Sequence, residues 1–375
     1  MYIFYDTEAT GLDLHFSQLL QVALVFTDDN LNVLASKKVE CRRSPWVVPS
    51  PGAMLITGFK PDDLKNNPLS HYDMMKDITD WVKTQHWPLT FVGYNSHSYD
   101  EPLLARNLAH NLQPADLTTA VSPQNAAQRN TRLDVFTMVK MVALYRPGLL
   151  KLQTLNDYGK PSMSLLNVAK QNGVALSDDE AHDAMNDIKA TLGVARIIKD
   201  GAPDLWDHFT HMSSPEKVAD YVSKTGAFAY TDLAYGRNKT MVVTDAGSID
   251  GGNTRIVFDL TEDPAKYTNA TVEELTAMMR RVFDRNNTQP VPFRLVSAVT
   301  QPSFMPVETA EALLKSAMGK DEMEKRAAAI KSADPAFLAR VAEAAALVQN
   351  PPSKKGNQKA QSPLLEQLFD RPVAP

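Results

Sequence analysis

Two acidic residues near the amino terminus have a spacing that metal-dependent chemistry uses. Asp6 and Glu8 follow the β-prone run Tyr2 to Tyr5. Side chains alternate between the two faces of a strand, so both carboxylates should leave the same face of a sheet. Two anions held that close need a cation. One such pair is a weak signal by itself, because acidic pairs also arise in ion-pair networks.

Two further segments place titratable side chains close to predicted helix starts. Asp100 ends a polar turn, and for this residue considered alone a helix cap is the preferred interpretation over a metal ligand. His182 and Asp187 lie around the start of the helix predicted over 184–200. Because five residues of an ideal helix turn through about 140°, these two converge only if the histidine belongs to the preceding loop. Asp183 is then the expected helix cap.

Together these segments supply four carboxylates and one imidazole from strand ends and helix starts. Active sites of open α/β sheets gather at such edges. An all-oxygen donor set favours Mg²⁺ or Mn²⁺ over zinc. Two such ions about 3.5–4 Å apart activate a water and stabilise the leaving oxygen of a phosphodiester, and a histidine can accept the water's proton. The constellation therefore indicates hydrolysis of a phosphodiester.

The elements that must position these residues indicate an α/β fold in two main regions. Strand and helix patterns alternate over 1–200, which predicts one α/β domain around a mixed sheet. Short strand-like runs broken by Asp-Gly and Gly-Gly turns follow, and then helical stretches from Val307 to Val348. This pattern predicts a β-rich second domain with appended helices over 201–348. Residues 349–375 are predicted to be a linker and a short tail.

Individual elements follow from the same patterns. In the first region, strands are predicted at Leu19 to Thr27, Asn32 to Val39 and Leu89 to Val92, and helices at Ser70 to Thr84, Glu101 to Asn111, Arg132 to Tyr145, Ser164 to Asn172 and Ala184 to Asp200. In the second, the predicted strands are Gly226 to Tyr230, Thr240 to Val243, Thr254 to Leu260 and Val291 to Val299, with a helix at Thr271 to Asp284. No internal repeat is present, so a solenoid is not expected.

The composition excludes several classes of protein. The 375 residues contain one cysteine, Cys41, so an internal disulfide and a CxxC-type metal or redox site are both impossible. A net charge of −5 argues against coating nucleic acid through global positive charge, although a local basic groove stays open. The sequence has neither a secretory signal nor an apolar stretch of about 18 residues. We therefore expect a cytoplasmic monomer without a membrane segment.

The three segments together resemble the exonuclease motifs of the DEDD superfamily, in its histidine-containing DEDDh branch. The matching stretches are Tyr5 to Gly11, Asn95 with Asp100, and His182 with Asp187. Ala9 stands where the family often has threonine. The order and the spacing of the motifs are both specific to this superfamily.

Segments outside these motifs resemble the bacterial exonuclease I family, whose members degrade single-stranded DNA processively from the 3′ end. Pro51 to Gly58 resembles its PGAxLITG segment, Gly93 to Asn95 its GYN, Ala143 to Pro147 its A-L-R-P stretch and Ala181 to Met185 its AHDAM. The likeness extends to about Val348. The C-terminal helical domain of the family is expected to be reduced here to the tail near Leu364 to Phe369.

The resemblance implies a fold and a set of site residues. Residues 1–200 are expected to form an RNase-H-like exonuclease domain, and about 201–300 an SH3-like one. The implied ligands of two Mg²⁺ ions, which Mn²⁺ can replace, are Asp6, Glu8, Asp100 and Asp187. His182 is the implied general base. Leu55 and Thr57 are expected to lie against the terminal nucleotide.

Other contacts to a single strand are expected from aromatic and basic side chains. The candidates are Tyr99, Arg106, Phe228, Tyr230 and Arg237. Arg146 resembles an arginine of the exonuclease I surface that receives the acidic C-terminal tail of single-stranded-DNA-binding protein, and a guanidinium suits such a carboxylate. A cation that favours a helix end explains Arg146 equally well.

The activity that the resemblance implies is Mg²⁺-dependent 3′–5′ hydrolysis of single-stranded DNA with a free 3′ end, to nucleoside 5′-monophosphates. Two alternatives stay open. One keeps the chemistry and trims RNA 3′ ends, because choosing RNA depends on sensing a 2′-hydroxyl. The other is an inactive adaptor that binds nucleic acid or a partner through the same fold. The presence of all four carboxylates weighs against the adaptor.

Overall fold

The structure is a computed structural model that describes residues 1–175, 183–233, 238–284, 286–314 and 318–351. These residues divide into two compact units. The first runs from Met1 to Asp207, and the second begins at His208. The predicted domain limits at residues 200 and 348 stay predictions.

A mixed sheet forms the centre of the first unit. Its strands are β1 (Tyr2–Ala9), β2 (Leu19–Thr27), β3 (Val33–Glu40), β4 (Thr90–Gly93) and β5 (Thr131–Asp134). Their order in the sheet is β3-β2-β1-β4-β5. β1 pairs antiparallel with β2 and parallel with β4, which pairs parallel with β5. The mixed sheet is confirmed, and the carboxyl ends of β1, β4 and β5 lie at one edge of it.

Helices cover both faces of this sheet. They are α1 (Pro51–Thr57), α2 (Pro61–Asn66), α3 (His71–Lys83), α4 (Asp100–His110), α5 (Val135–Tyr145), α6 (Leu165–Gln171), α7 (Ala184–Gly201) and α8 (Pro203–His211). Ile78 of α3 and Leu104 of α4 join a buried cluster with Ile3 and Tyr5 of β1. α7 packs on β1 and β2. Odd-numbered residues of β1 therefore face α3 and α4, which leaves its even-numbered residues for α7.

One predicted helix is partly wrong. The helix predicted over Arg132 to Tyr145 begins only after Asp134, because Leu133 pairs with Val92 of β4 as part of β5. Asp134 then caps α5, and its side chain accepts a hydrogen bond from the backbone N–H of Phe136. A four-residue strand that runs directly into a helix leaves too short an alternating pattern to be separated from it.

The second unit is built on an antiparallel sheet. Its strands are β6 (Phe228–Asp232), β7 (Lys239–Ile249), β8 (Thr254–Asp259), β9 (Phe293–Ser297) and β10 (Phe304–Met305), in the order β10-β6-β7-β8-β9. Its helices are α9 (Pro215–Lys224), α10 (Val272–Arg280), α11 (Val307–Ala310), α12 (Lys320–Lys331) and α13 (Pro335–Gln349). The predicted β-rich region with appended helices is confirmed. The sequence patterns did not predict α8 and α9. None of the helices in the described ranges has the length and apolar character needed to cross a bilayer.

Both faces of the second sheet are covered. Phe258 and Phe293 pack with Phe337 of α13 in one buried cluster. Phe228 and Phe304 pack with residues of α9 in another. The sheet therefore contributes its edges and loops, rather than an open face, to the surface of this unit.

The single cysteine is buried, and its thiol is difficult to ionise. Cys41 is 3% exposed and forms no disulfide. Its thiol donates a hydrogen bond to the Leu19 carbonyl oxygen. Burial raises the pKa of the Cys41 thiol to about 12, so the thiolate is a minor form at neutral pH.

The stability of the first unit should depend on the protonation of His71, the first residue of α3. Burial lowers the pKa of His71 from 6.5 to about 4, and the nearby His110 acts in the same direction. The unfolded chain therefore takes up a proton near pH 6.5, whereas the folded chain does so only near pH 4. This contribution to stability is complete above pH 6.5 and is lost as the pH falls, by up to about 3 kcal/mol.

Urea unfolding of the wild type and of His71→Gln between pH 7.5 and pH 4 tests this prediction. The variant should lose less stability on acidification, since glutamine does not titrate. His86→Gln, at an exposed position of the same unit, is the control and should behave as the wild type does. A His71→Gln variant that retains the full acid dependence would contradict the assignment.

Candidate metal centre

Three carboxylates meet on the face of β1 that α7 covers. One ligand oxygen from each of Asp6, Glu8 and Asp187 lies within 4.8 Å of the other two. Asp6 and Glu8 share a face because of the strand alternation, and Asp187 comes from the first turn of α7. Across the described ranges, no other group of three histidine, cysteine or acidic side chains meets this condition.

The start of α7 is fixed to the sheet by polar contacts. The buried Gln21 of β2 accepts a hydrogen bond from the backbone N–H of Ala184 through its Oε1 atom, at 2.8 Å. Asp183 accepts one from the N–H of Met185 at 3.0 Å, which confirms the predicted cap. Asp183 also forms an ion pair with Lys38 of β3. These contacts place Asp187 over the carboxyl end of β1.

Asp100 approaches the same edge from the other face of β1. Its Oδ1 atom accepts a hydrogen bond of 2.6 Å from the Thr7 hydroxyl. Thr7 lies between Asp6 and Glu8 in the strand and points away from both. Tyr99 is the residue that precedes α4, so the capping interpretation of Asp100 is wrong and the residue belongs to the first turn. Asp100 is not one of the three clustered residues.

Burial and mutual repulsion raise the pKa values of these acids. The pKa of Glu8 rises from 4.5 to about 8, mainly through burial and then through the charges of Asp187 and Asp100. Burial, followed by the charge of Asp100, raises the pKa of Asp6 well above its ordinary value. Burial raises the pKa of Asp100 to about 6, against the hydrogen bond from Thr7. Such a cluster is stable as anions only beside a cation, so the residues fit a divalent metal with oxygen ligands.

A buried network fixes the first turn of α4, and no local sequence pattern predicts it. The Glu101 carboxylate accepts hydrogen bonds from the Tyr5 hydroxyl at 2.8 Å and from the Arg132 guanidinium at 3.0 Å. The Thr118 hydroxyl also donates to it. These bonds join α4 to β1 and β5, and they orient the neighbouring Asp100. The role of Glu101 depends on Arg132 lying in a strand, where the sequence pattern predicted a helix.

A tight turn brings the chain from β4 to Asp100. A Cβ atom on Gly93 would lie 2.4 Å from the Cβ of Ser96, so only glycine fits there. Asn95 has a φ of 59°, in the left-handed region. Its backbone N–H donates to Oδ1 of Asp134 at 2.8 Å, which ties the turn to the end of β5. The Gly-Tyr-Asn segment therefore has a structural role at this edge.

Two predicted substrate contacts lie on α1. Leu55 is 86% exposed. The Thr57 hydroxyl is buried and, among the described residues, has no hydrogen-bond partner. The backbone N–H of Ser50 donates to the Thr10 carbonyl at 2.7 Å, which places the start of α1 beside the end of β1. Both contacts stay predictions.

The remaining predicted nucleic-acid contacts have different outcomes. Phe228 is fully buried and packs edge-to-face on Phe304 at 4.8 Å between ring centroids, so the expectation that it stacks on a base is wrong. Tyr230 is half-buried and stays a prediction. The Tyr99 hydroxyl donates to the Gly11 carbonyl, and Arg106 donates to the Pro102 carbonyl at 3.4 Å; their substrate contacts also stay predictions. His182 and Arg237 lie outside the described residues.

Arg146 follows α5 and already has an acidic partner. Its guanidinium forms an ion pair with Asp204 and donates to the Tyr145 carbonyl at 2.8 Å. The Arg146 side chain is 37% exposed and that of Asp204 is 58% exposed. Its proposed contact with a partner's carboxylate stays a prediction, in which the partner would compete with Asp204.

Thr7→Val should weaken metal binding without adding or removing a charge. The Thr7 hydrogen bond holds the pKa of Asp100 down against burial, so its loss leaves more Asp100 protonated at pH 7. We expect Mn²⁺ affinity, measured by isothermal titration calorimetry, to fall about three- to tenfold. Thr7→Ser keeps the hydroxyl and should bind as the wild type does. Equal affinities for valine and threonine would contradict this role.

Asp187→Asn should stabilise the metal-free protein. The change removes the charge that contributes most, after burial, to the raised pKa of Glu8. We expect the free energy of unfolding in urea at pH 8 to rise by about 1 kcal/mol or more, and the extra stability conferred by Mg²⁺ to disappear. Asp116→Asn removes an exposed acid of the same unit and should change neither quantity. If metal-free Asp187→Asn were less stable than the metal-free wild type, repulsion between Asp187 and the other carboxylates would not be a significant destabilising interaction.

The chain is similar to exodeoxyribonuclease I of several bacteria. The chain is 26% identical over 323 residues to exodeoxyribonuclease I of Haemophilus influenzae, covering 82% of this chain and 65% of the relative. It is 28% identical over 275 residues to exodeoxyribonuclease I of Escherichia coli, covering 70% of this chain and 54% of the relative. The chain thus spans between about half and two thirds of these relatives' length.

Solved structures show the same fold. Escherichia coli exonuclease I in complex with a dA16 oligonucleotide superimposes with a TM-score of 0.76 at 21% identity, over 100% of this chain and 78% of that one. A complex of exonuclease I with SSB-Ct gives a TM-score of 0.71 at 20% identity, over 99% of this chain and 80% of that one. The RNase-H-like exonuclease fold and the resemblance to bacterial exonuclease I are both confirmed.

The family model described as Exonuclease (RNase_T) matches residues 3–195. This match covers β1 to β5 and the part of α7 that carries Asp187. All the carboxylates at the edge of the first sheet therefore lie within it, and the chain belongs to the RNase_T exonuclease family.

Proposed function

We propose that this protein is a Mg²⁺-dependent 3′–5′ exodeoxyribonuclease that releases nucleoside 5′-monophosphates from single-stranded DNA with a free 3′ end. The observation that carries the proposal is the meeting of Asp6, Glu8 and Asp187 within 4.8 Å. Asp100 is close enough to raise the pKa values of Asp6 and Glu8 by its charge. The names of the relatives and the DNA bound to one solved neighbour support the choice of substrate.

The acidic residues have separate tasks in this mechanism. Asp6, Glu8, Asp100 and Asp187 would hold two Mg²⁺ ions. Held by these residues, the ions would supply activation of the attacking water and stabilisation of the leaving oxygen. A cation held there would offset the burial and the mutual repulsion that raise the pKa of Glu8, and would favour ionised carboxylates at neutral pH. The contacts of Thr7, Gln21 and Glu101 hold the acids ready for this role.

His182 is proposed as the general base. It directly precedes Asp183, the cap of α7, in the sequence. An imidazole can accept the proton of the attacking water near neutral pH. On this assignment the histidine moves a proton and does not hold metal, which separates its loss from that of Asp6.

The 3′-terminal nucleotide is proposed to lie against α1. Leu55 offers an exposed aliphatic surface to the sugar or the base. The Thr57 hydroxyl, which has no partner in the described part of the chain, can bond the terminal 3′ oxygen. Leu55 and Thr57 lie in α1, and the hydrogen bond between Ser50 and Thr10 joins the start of this helix to the end of β1. The proposed substrate contacts and the metal ligands are therefore positioned by the same end of β1.

Arg146 is proposed to bind the acidic C-terminal tail of single-stranded-DNA-binding protein. The complex of exonuclease I with SSB-Ct supports this partner. A terminal carboxylate can form a two-point hydrogen-bonded pair with the guanidinium. The exposed Asp204 carboxylate mimics that ligand, so salt should weaken both interactions.

Matched DNA and RNA oligonucleotides labelled at the 5′ end test the activity. With Mg²⁺, we expect stepwise shortening of single-stranded DNA from the 3′ end, with the label retained until the last steps. Faster degradation of the RNA would favour the exoribonuclease alternative. Binding without cleavage, by folded protein that also binds metal, would favour the inactive adaptor.

Two variants separate the metal ligand from the base. Asp6→Ala should lose both metal affinity and cleavage. His182→Ala should retain metal and DNA binding while kcat falls about 10²–10⁴-fold. His86→Ala, at an exposed position, is the control. If His182→Ala loses metal as completely as Asp6→Ala does, the assignment of the histidine as the base is wrong.

A further inference from the structure

A cavity of about 710 Å³ lies in the first unit, and the metal centre does not use it. Its walls come from residues 15–18, 44, 46–48, 70–72, 107, 110 and 111. We propose that this cavity binds bases of the single-stranded substrate upstream of the nucleotide being removed. The inference rests on the proposed function and assigns that function a second binding site. We call the cavity the ring pocket, after Phe16, Trp46 and Tyr72.

Three aromatic rings line the ring pocket and stay accessible. Phe16 is 56% exposed, Trp46 is 81% exposed and Tyr72 is 47% exposed. Large aromatic side chains at one concave site favour a ligand with flat apolar faces. Unpaired bases have such faces, and stacking on aromatic side chains is tolerant of sequence. The rings therefore suit a strand that is degraded whatever its sequence.

The polar groups of the ring pocket suit nucleic acid as well. Its described lining includes His15, His71 and His110 and contains no carboxylate. The Nδ1 atom of His15 is buried and, within the described ranges, has no hydrogen-bond partner. Imidazoles can bond to base edges or phosphate oxygens, and no carboxylate among the lining residues opposes a phosphodiester inside the cavity. This chemistry is the opposite of that at the metal centre.

Hydrogen bonds from side chains to the backbone stabilise the conformation of the loop that carries Trp46. The Arg43 guanidinium donates to the carbonyls of Ser44 at 3.1 Å and Pro45 at 3.3 Å, and also to that of Val47. The backbone N–H of Ser44 donates to the Gln18 side chain at 2.8 Å. A ring on a braced loop loses little conformational freedom when a base stacks on it. The stabilised backbone of this loop therefore keeps the Trp46 ring exposed.

The ring pocket adjoins the carboxyl end of β1. The N–H of Thr10 donates to the Gln18 carbonyl, and the N–H of Gln18 donates to the Thr10 hydroxyl, both at 2.9 Å. Thr10 is two residues beyond Glu8, and Gln18 lines the cavity. The cavity therefore lies next to the segment that follows β1. On our proposal, a strand whose 3′ end lies at the carboxylates passes around this edge of the sheet and places its preceding bases in the cavity.

Two substrates of different length separate the ring pocket from the metal centre. The p-nitrophenyl ester of thymidine 5′-monophosphate has no upstream base, whereas a dT15 oligonucleotide has many. We expect Trp46→Ala to raise the KM for dT15 about fivefold to a hundredfold and to leave kcat/KM for the ester unchanged. Trp46→Phe should restore most of the affinity. Phe283→Ala, which removes a ring 72% exposed in the second unit, is the control.

An abasic scan then shows whether a base is what stacks. In the wild type, one abasic site a few positions from the 3′ end should weaken binding of dT15 by a factor similar to that of Trp46→Ala. The same abasic site should add little to the defect of the variant. Thermal unfolding of each variant checks that the fold is retained.

The outcomes distinguish the two proposals. A wild type that cleaves neither substrate overturns the proposed function. A wild type that cleaves both, with a folded Trp46→Ala variant of unchanged KM for dT15, overturns the ring pocket alone. The ring-pocket proposal would also be overturned if the abasic site weakened binding of dT15 by the same factor in the wild type and in Trp46→Ala.

Discussion

Electrostatic repulsion at the carboxyl end of β1 is the constraint on which the site depends. Asp6 and Glu8 leave one face of the strand towards Asp187, and Thr7 leaves the other face towards Asp100. A single strand therefore serves two helices whose first turns carry acids. The partial positive charge of a helix start favours each acid, yet the raised pKa values of Glu8 and Asp100 show that it does not balance the burial.

The surrounding contacts keep these acids together although they repel one another. Gln21 fixes the start of α7, and the bonds to Glu101 fix the start of α4. Each anchor is itself buried and hydrogen-bonded, so moving a carboxylate away would leave a polar group unsatisfied. The free energy of these contacts thus offsets the repulsion among the carboxylates, which a bound cation would relieve.

Local features of this arrangement could be predicted from the sequence. The pairing of Asp6 with Glu8 follows from strand alternation, and the capping role of Asp183 follows from its place before an apolar helix. The position of Asp100 depends on a tertiary contact with Thr7, so the local sequence favours a helix cap there and does not show the contact. The burial of Phe228 could not be predicted, because alternation along β6 does not reveal that helices cover both faces of that sheet.

The burial of Cys41 has a practical consequence. It is the single cysteine of the chain, it is 3% exposed, and its pKa is raised to about 12. A thiol introduced at a surface position would react with maleimide at neutral pH far faster than this one. Fluorophores or spin probes can therefore be attached at one chosen point of the native sequence, without first replacing a natural residue.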